Sequence, residues 1–349
     1  MKVGIVGLPF SGKSSLFRLL TGGQSEGRPG RAGRVSQRQA IVADPRVDRL
    51  VADYKPRKTT LATIDFLDFP PLGNRSEGQK RSFAELLTPA RDSQALVVMV
   101  RNFENAALPP AGGAIDPAAE LAEVIDELRL ADLEVATNRR EKIIAQIPKK
   151  RGQDRKALET EQPLIEQVVI ALEEGRDVSD LKFQADEEKI LRGYQFLSAK
   201  PRLVVENLSE GRECTIPVSI GGMVAIESDL AELEEEDRAT FAEEFGLEGS
   251  CVDAVIGGIY ERSGLVSFLT AGDPEVRAWP VPRGTVAVTA AGEVHSDIER
   301  GFIRAEVVSY DDYVTDGGIP GAREKGHFRL EGKEYVVADG DIINFLFKV

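Results

Sequence analysis

Residues 7–14 read GLPFSGKS, and this stretch decides the fold. It matches G-x-x-x-x-G-K-[ST], the P-loop that holds nucleotide phosphates. An apolar run at 2–6 predicts a buried strand before the loop, and the apolar spacing of residues 14–20 predicts a helix after it. Strand, glycine loop and helix together place backbone N–H groups and a helix N-terminus around an anion. This context favours a nucleotide site strongly over a chance glycine-rich turn.

Three residues of the motif carry its chemistry. Gly12 lets the backbone approach a phosphate closely, because it has no Cβ. Lys13 supplies a positive charge to the outer phosphates, and the Ser14 hydroxyl is a ligand for Mg²⁺. The motif therefore predicts that a nucleotide binds together with Mg²⁺.

The composition limits the class of protein. The chain has 349 residues, of which 42% are hydrophobic, and this is enough for a core and for two or three domains. We see no apolar run as long as a membrane span and no signal peptide, so we expect a cytoplasmic protein without a membrane partner. The net charge of −14 argues against a DNA partner, but it does not exclude a local basic surface for an RNA-rich partner.

The cysteines and histidines predict neither a disulfide framework nor a metal cluster. Cys214 and Cys251 are too few for such a framework and suit a reduced compartment. His295 and His327 do not join them at metal-ligand spacing, so we expect all four side chains to be structural or exposed to solvent.

The first 110 residues alternate strand and helix signals, which predicts a doubly wound, mostly parallel α/β sheet. Residues 63–68 predict a strand that ends at Asp68, and the continuous apolar run at 95–100 predicts a central strand. Between the P-loop helix and these strands, residues 22–35 predict a mobile loop near the phosphates. Four arginines fall in or near this loop: Arg28, Arg31, Arg34 and Arg38.

Helical apolar spacing then dominates from 117 to 199 and predicts an antiparallel helical hairpin inserted in the α/β domain. Its predicted turn, residues 148–154, carries the basic run 149–151, which fits a solvated turn and a contact surface equally well. A further buried strand at 202–205 leads to Asn207. From 282 to 349, short strands and glycine turns around one helix predict a small α+β domain.

Two more elements are needed to complete a nucleotide site. Asp68 stands at the end of a strand, where a carboxylate can support the Mg²⁺ shell. Asn207 and Glu210 follow a later strand, where their side chains can contact the edge of a purine.

These features together resemble the YchF family, which are Obg-related P-loop NTPases of the translation-factor class. The likeness rests on the P-loop, on Asn-x-x-Glu at 207–210 and on the inserted hairpin, and it covers nearly the whole chain. The C-terminal segments are the most similar to the family's TGS domain: 278–279, 301–307, 309–313, 321–324 and 339–341.

The resemblance implies a G domain at 1–115 and 199–280, a helical insertion at 116–198 and a TGS domain at 281–349. It implies ATP or GTP with Mg²⁺ as ligand, and the ribosome or a ribosomal RNA or protein as partner. The implied nucleotide-binding residues are Pro9, Phe10, Ser11, Gly12, Lys13, Ser14, Ser15, Asn207 and Glu210. Ser14 and, in the outer shell, Asp68 are the implied metal-binding residues.

The family motif also bears on base choice and hydrolysis. Asn-x-x-Glu replaces the Asn-Lys-x-Asp guanine reader, so strict guanine selection is not expected. Leu72 falls where many GTPases have the glutamine that orients water, so no catalytic side chain is assigned there.

This chain departs from the family at the positions that contact the γ-phosphate and the metal. Pro71 stands at the glycine of the second switch, and proline has no N–H to donate. The first-switch threonine falls near Ala32, where Thr21 and Ser36 are the nearest hydroxyls and both look misplaced. A further departure is Met223-Val224 at the Ser-Ala of the base loop.

Two hypotheses follow. The first is a slow ATPase or GTPase, in which an arginine of residues 28–38 replaces lost charge at the phosphates. The second is a hydrolysis-dead scaffold that binds nucleotide and docks a partner through its TGS and helical domains. For the arginines, a solvated loop is the favoured interpretation, and contact with RNA phosphate is a third use. A basic scaffold unrelated to nucleotide ranks last, because it leaves Lys13 unexplained.

Overall fold

The computed structural model describes residues 1–22, 35–72, 83–105, 107–108, 113–247 and 249–348. The chain divides into two compact units. The first contains residues 1–40 and 65–255, and the second contains residues 41–64 and 256–349.

The described part of the chain forms strands and helices that we number along the sequence. The strands are β1 (Lys2–Val6), β2 (Ser36–Ile41), β3 (Thr59–Thr60), β4 (Thr63–Asp68), β5 (Ala95–Asn102), β6 (Arg202–Leu208), β7 (Ile220–Gly222), β8 (Leu265–Ala271), β9 (Val276–Pro282), β10 (Phe302–Ser309), β11 (Arg329–Glu331) and β12 (Asp341–Phe347). The helices are α1 (Lys13–Leu20), α2 (Pro45–Tyr54), α3 (Phe83–Arg91), α4 (Pro117–Gln146), α5 (Gly152–Glu173), α6 (Ala185–Leu191), α7 (Val224–Leu230), α8 (Glu235–Glu244), α9 (Cys251–Arg262), α10 (Ala287–Val294), α11 (Ser296–Gly301), α12 (Tyr310–Asp316) and α13 (Ile319–Lys325).

The sheet of the first unit has the order β2-β4-β1-β5-β6-β7. Strand β1 pairs in parallel with both β4 and β5, and β5 with β6, so their carboxyl ends meet at one edge. All eight residues of β5 are buried, as its continuous apolar run predicts for a central strand. The predicted α/β fold with a mostly parallel sheet is confirmed, and its carboxyl edge carries the loop 7–14.

The predicted helical hairpin is formed by α4 and α5, which are joined by a short 3₁₀ turn at Ile147–Lys149. The first turns of α4 bury Val124 and Leu128 in the core of the sheet, while farther along Ile143 packs with the apolar face of α5. Asp132, fully buried, fixes α4 to the chain that returns to the sheet, because its carboxylate accepts the Leu197 and Ser198 amides at 3.0 and 2.8 Å. The basic run 149–151 is exposed.

The second unit differs from the prediction of one helix in the C-terminal region. Residues 287–325 contain four short helices, α10 to α13, rather than one. The sheet has the order β11-β10-β12-β8-β9-β3, in which β8 pairs with β12. Residues 41–64 contribute α2 and the short strand β3 to this unit. These elements share one apolar cluster that includes Val47, Leu50 and Leu269.

One of the four arginines in or near the predicted loop belongs to a strand. Arg38 is part of β2, whose residues alternate between partly buried and exposed because the strand lies at the end of the sheet order. The remaining arginines, Arg28, Arg31 and Arg34, lie outside the described residues, as does Ala32. In the part of the chain that the structure describes, no helix has the length and apolar character needed to cross a membrane.

Candidate nucleotide site

The loop that follows β1 is shaped by two glycines. Gly7 and Gly12 have φ of 157° and 99°. A Cβ on Gly7 would collide with the Met99 carbonyl oxygen, and one on Gly12 would collide with the Asn207 side chain. Both positions therefore require glycine, because β5 and β6 leave no room for a side chain on the loop that follows β1.

The backbone of this loop offers a cluster of N–H donors. Phe10, a non-glycine residue, has φ of 65°, and its side chain is 62% exposed. The Phe10 and Gly12 amides, and those of Lys13 and Ser14 in the first turn of α1, donate to no acceptor within the described residues. Unused donors converging at a helix N-terminus form an anion-binding nest, so the loop is ready to receive phosphate oxygens.

The Lys13 ammonium lies inside this nest. Lys13 is only 6% exposed, and its Nζ donates to the Leu8 carbonyl at 2.9 Å. Burial lowers the pKa of Lys13 to about 8, although the charges of Asp68 and Glu120 act in the opposite direction. A buried ammonium with a single backbone acceptor is under-solvated, and phosphate oxygens would supply the missing anionic partner.

Ser14 and Asp68 meet at the carboxyl ends of β1 and β4. The Ser14 hydroxyl donates to Asp68 Oδ2 at 2.8 Å, and the other carboxylate oxygen, Oδ1, is buried without a hydrogen-bond partner in the part of the chain that the structure describes. Burial raises the pKa of Asp68, which the hydrogen bond from Ser14 and the charge of Lys13 partly offset. A hydroxyl and a carboxylate with a free oxygen are the hard ligands that Mg²⁺ prefers, so these residues fit the ion.

The segment after Asp68 turns back onto the phosphate loop. The Leu72 amide donates to the Gly7 carbonyl at 3.1 Å, and the Leu72 side chain is 2% exposed within the apolar core. Pro71, immediately before it, has no N–H. Neither residue therefore presents a free amide toward a phosphate, and Leu72 is a core residue that cannot orient water.

The base-side residues differ in their placement. Asn207 is 6% exposed, and its Nδ2 donates to the Ser11 carbonyl at 3.1 Å, so it fixes the phosphate loop from the end of β6. Glu210 is exposed beyond the end of the same strand, and its contact with a purine stays a prediction. Met223 caps the N-terminus of α7, which begins at Val224.

The alternative hydroxyls for a first switch are not available. The Thr21 hydroxyl donates to the Phe17 carbonyl at 2.7 Å, at the end of α1 opposite to Ser14. Ser36 is the first residue of β2. The Thr21 hydroxyl is therefore engaged away from Ser14 and does not replace the switch threonine.

Two further residues organise the site and were missed by sequence reasoning. Glu206, fully buried in β6, accepts hydrogen bonds from Thr215, Ile216 and Ser219 and so fixes the loop that carries Glu210. Burial works to raise the pKa of Glu206, but these hydrogen bonds outweigh it and hold the pKa below its ordinary value. A charged residue inside the apolar strand LVVENL was the available signal.

The second missed residue is Glu120, in the first turn of α4. Its Oε2 accepts the Arg101 amide at 3.1 Å, and its charge acts on Lys13. No local motif marks it, because α4 carries many acidic residues.

A histidine also lies in an acidic cluster of the second unit. His327 Nδ1 is 2.7 Å from Asp316 Oδ2, while Lys325 Nζ lies 2.9 Å from Asp316 Oδ1. The ligand atoms of Asp312, Asp316 and His327 lie within 4.8 Å of one another. Because Lys325 and His327 already engage both oxygens of Asp316, this arrangement is an ion-pair cluster.

The nest, the buried lysine and the serine–carboxylate pair, on the carboxyl edge of a parallel sheet, define the class of P-loop nucleotide-binding proteins. Comparisons with known proteins narrow this class. A family model described as "YchF-GTPase_C: Protein of unknown function (DUF933)" matches residues 265–348. The chain is 36% identical to the "Ribosome-binding ATPase YchF" of Escherichia coli O157:H7, covering 100% of this chain and 99% of the relative.

Two more comparisons agree. The protein of the same name from Bacillus subtilis strain 168 is 35% identical, with 100% of both chains covered. The solved structure of the Schizosaccharomyces pombe YchF GTPase matches with a TM-score of 0.82 and 27% identity, covering 99% of this chain and 97% of that chain. The chain belongs to the YchF family.

Proposed function

We propose that this protein binds ATP, GTP or both, together with Mg²⁺, and hydrolyses the triphosphate slowly. The observation that carries the proposal is the buried Lys13 ammonium, which lies at a helix N-terminus beside N–H donors that have no acceptor among the described residues. Ser14 and Asp68 would hold Mg²⁺, and the ion would neutralise charge on the phosphate oxygens.

Slow hydrolysis is proposed because two of the usual contributions are missing. Pro71 has no amide for the γ-phosphate, and the Leu72 amide is already bound to Gly7. The buried Leu72 side chain provides no polar group to position water. This arrangement does not prevent binding. We therefore expect the bound triphosphate to remain uncleaved for much longer than in a switch protein that hydrolyses it rapidly.

The names of the relatives support a proposal about the partner of this chain. Those from Escherichia coli and Bacillus subtilis are called ribosome-binding ATPases, and we propose the ribosome as the partner of this chain, in the cytoplasm. We further propose that residues 281–349 form a TGS domain and residues 116–198 a helical insertion. Both would present surfaces to ribosomal RNA or protein.

The second candidate function is a hydrolysis-dead scaffold, in which nucleotide binding only stabilises the fold while the helical and TGS domains dock a partner. The same two features of residues 71 and 72 favour it. It differs from the first candidate in turnover and in whether partner binding depends on the nucleotide.

Isothermal titration with ATP and GTP, with and without Mg²⁺, tests the nucleotide proposal, and sedimentation with ribosomes tests the partner. We expect binding that Mg²⁺ strengthens, and ribosome association that changes between the ATP-bound and ADP-bound forms. Binding without turnover, with ribosome association unaffected by nucleotide, would favour the scaffold. A protein that binds neither nucleotide would overturn both candidates.

A further inference from the structure

A half-buried carboxylate from the helical hairpin lies near Lys13 of the phosphate loop, and the charges of the two side chains interact. Glu120 belongs to the first turn of α4, whose N-terminus is capped by Asp116. Its Oε2 accepts the Arg101 amide at 3.1 Å, at the end of β5. Strand β5 is the direct neighbour of β1, with Val98 opposite Val6, and so Glu120 is held at the same edge as residues 7–14.

The surroundings of this carboxylate favour its neutral form. The second oxygen, Oε1, is buried and has no hydrogen-bond partner among the described residues. Among the described residues the Arg101 guanidinium, 6% exposed, forms no ion pair with it; Arg101 Nε donates to the Phe103 carbonyl at 3.0 Å. An ionised carboxylate with one buried, unsatisfied oxygen costs more free energy than a protonated carboxyl group in the same place.

The charged groups around Glu120 set its proton affinity. Burial raises the pKa of Glu120 to about 7, against the Arg101 amide hydrogen bond and the charges of Arg101 and Lys13. Glu123, on the exposed face of the same helix, raises it slightly further. The pKa therefore lies where a small change in local charge alters the protonation state.

We propose that Glu120 is a positioning residue that takes up a proton when nucleotide phosphates bind beside Lys13. The inference rests on the proposed nucleotide binding and adds a group from the helical hairpin to that site. Phosphates bring negative charge close to the Glu120 carboxylate and engage Lys13, whose charge otherwise stabilises the ionised form. Both effects favour protonation, and a neutral Glu120 no longer opposes the phosphates.

The sign of the pH dependence follows by linkage. Because bound phosphate raises the pKa of Glu120 above its value in the free protein, nucleotide affinity increases as the pH falls through that range. If bound phosphate raises the pKa by one unit, the affinity gain between pH 8 and pH 6 is about fivefold, and on the order of half a proton is taken up near pH 7.5.

The experiment is calorimetric titration with ADP and Mg²⁺ in PIPES and in Tris, two buffers whose heats of protonation differ. ADP avoids turnover during the titration. The variant is Glu120→Gln, which keeps an acceptor for the Arg101 amide but binds no proton. The matched control is Glu123→Gln, which removes the same charge one turn farther along α4.

We expect the wild type and the Glu123→Gln variant to take up more protons than Glu120→Gln, by up to about half a proton, since protons bound by groups that Glu120 does not influence cancel in this difference. We also expect Glu120→Gln to reduce the pH dependence of ADP affinity to the part that Lys13, with a pKa of about 8, contributes, and Glu120→Asp to regain part of the loss. Equal proton uptake in all variants would overturn the role of Glu120 while leaving the nucleotide proposal intact. A wild type that does not bind ADP would overturn both.

Discussion

Two loops leave neighbouring parallel strands at the same edge of the sheet, and they are built in opposite ways. The loop after β1, residues 7–14, has N–H donors that no acceptor in the described residues uses, around a buried ammonium. The segment after β4, residues 68–72, has Pro71 and an amide at Leu72 that donates to Gly7. Holding a phosphate and detecting its presence are separate properties, and we propose that this chain has the first without the usual means for the second.

The largest expected effect is on the first loop. Lys13→Ala should weaken nucleotide binding about 100-fold, equivalent to about 2.7 kcal/mol, because a buried charged donor to phosphate is lost. Titration calorimetry measures it, with Lys2→Ala, an exposed lysine of β1, as the matched control. If Lys13→Ala binds as tightly as the wild type, residues 7–14 do not form the phosphate site.

The contact between the two regions is the Ser14–Asp68 hydrogen bond. Asp68→Asn keeps an acceptor for Ser14 but removes the negative charge, so it should reduce the strengthening of binding by Mg²⁺ about tenfold. Titrations with and without Mg²⁺ measure this, and Asp65→Asn on the same strand serves as the control. An unchanged effect of Mg²⁺ would remove Asp68 from the metal site.

The second segment is tested at Pro71. Pro71→Ala restores an N–H, and Pro71→Gly restores it with more backbone freedom, so both should increase phosphate release about tenfold. We expect a smaller increase than the 10²–10³-fold effect of one well-placed hydrogen-bond donor, because the variants still lack a glutamine that orients water. Faster phosphate release in Pro71→Gly but not in Pro71→Ala would show that backbone freedom, and not the N–H, limits hydrolysis. A flat rate in both variants would show that Pro71 does not limit hydrolysis.

The smallest expected effect concerns the base side, which lies outside both regions. Glu210→Asp shortens the side chain to the length found in guanine readers and should shift the ratio of GTP to ATP affinity about threefold toward GTP, less than a full bidentate contact gives. Competition titrations measure the ratio, with Glu213→Asp as the control. An unchanged ratio would show that Glu210 does not contact the base.

The parts of the fold that were predicted are those in which the signal is local. Residues 7–14 impose their own backbone through Gly7 and Gly12, and β5 is apolar over residues 95–100 because both its faces are covered. Strand β2 was not predicted. It lies at the end of the sheet order and only one of its side chains is fully buried, so its sequence carries little apolar signal. The helices of residues 287–325 are six to eight residues long, too short to establish an apolar period.

The parts that were not predicted depend on contacts between distant residues. Strand β3 has two residues and pairs with β9 far along the chain. Glu206 is recognisable as a loop organiser only when residues 215–219 fold back over it, and Glu120 only when α4 is placed against β5. Asn207 was predicted as a base contact, and its hydrogen bond to Ser11 became visible only in the folded chain.

The central claim is that the protein holds nucleotide without sensing the γ-phosphate strongly. The most direct test compares the affinities of ATP and ADP, each with Mg²⁺, and follows phosphate release from ATP in the same preparation. We predict affinities within about tenfold of each other, a difference of no more than about 1.4 kcal/mol, together with slow release. ATP bound more than about 100-fold tighter than ADP, with rapid turnover, would contradict the account.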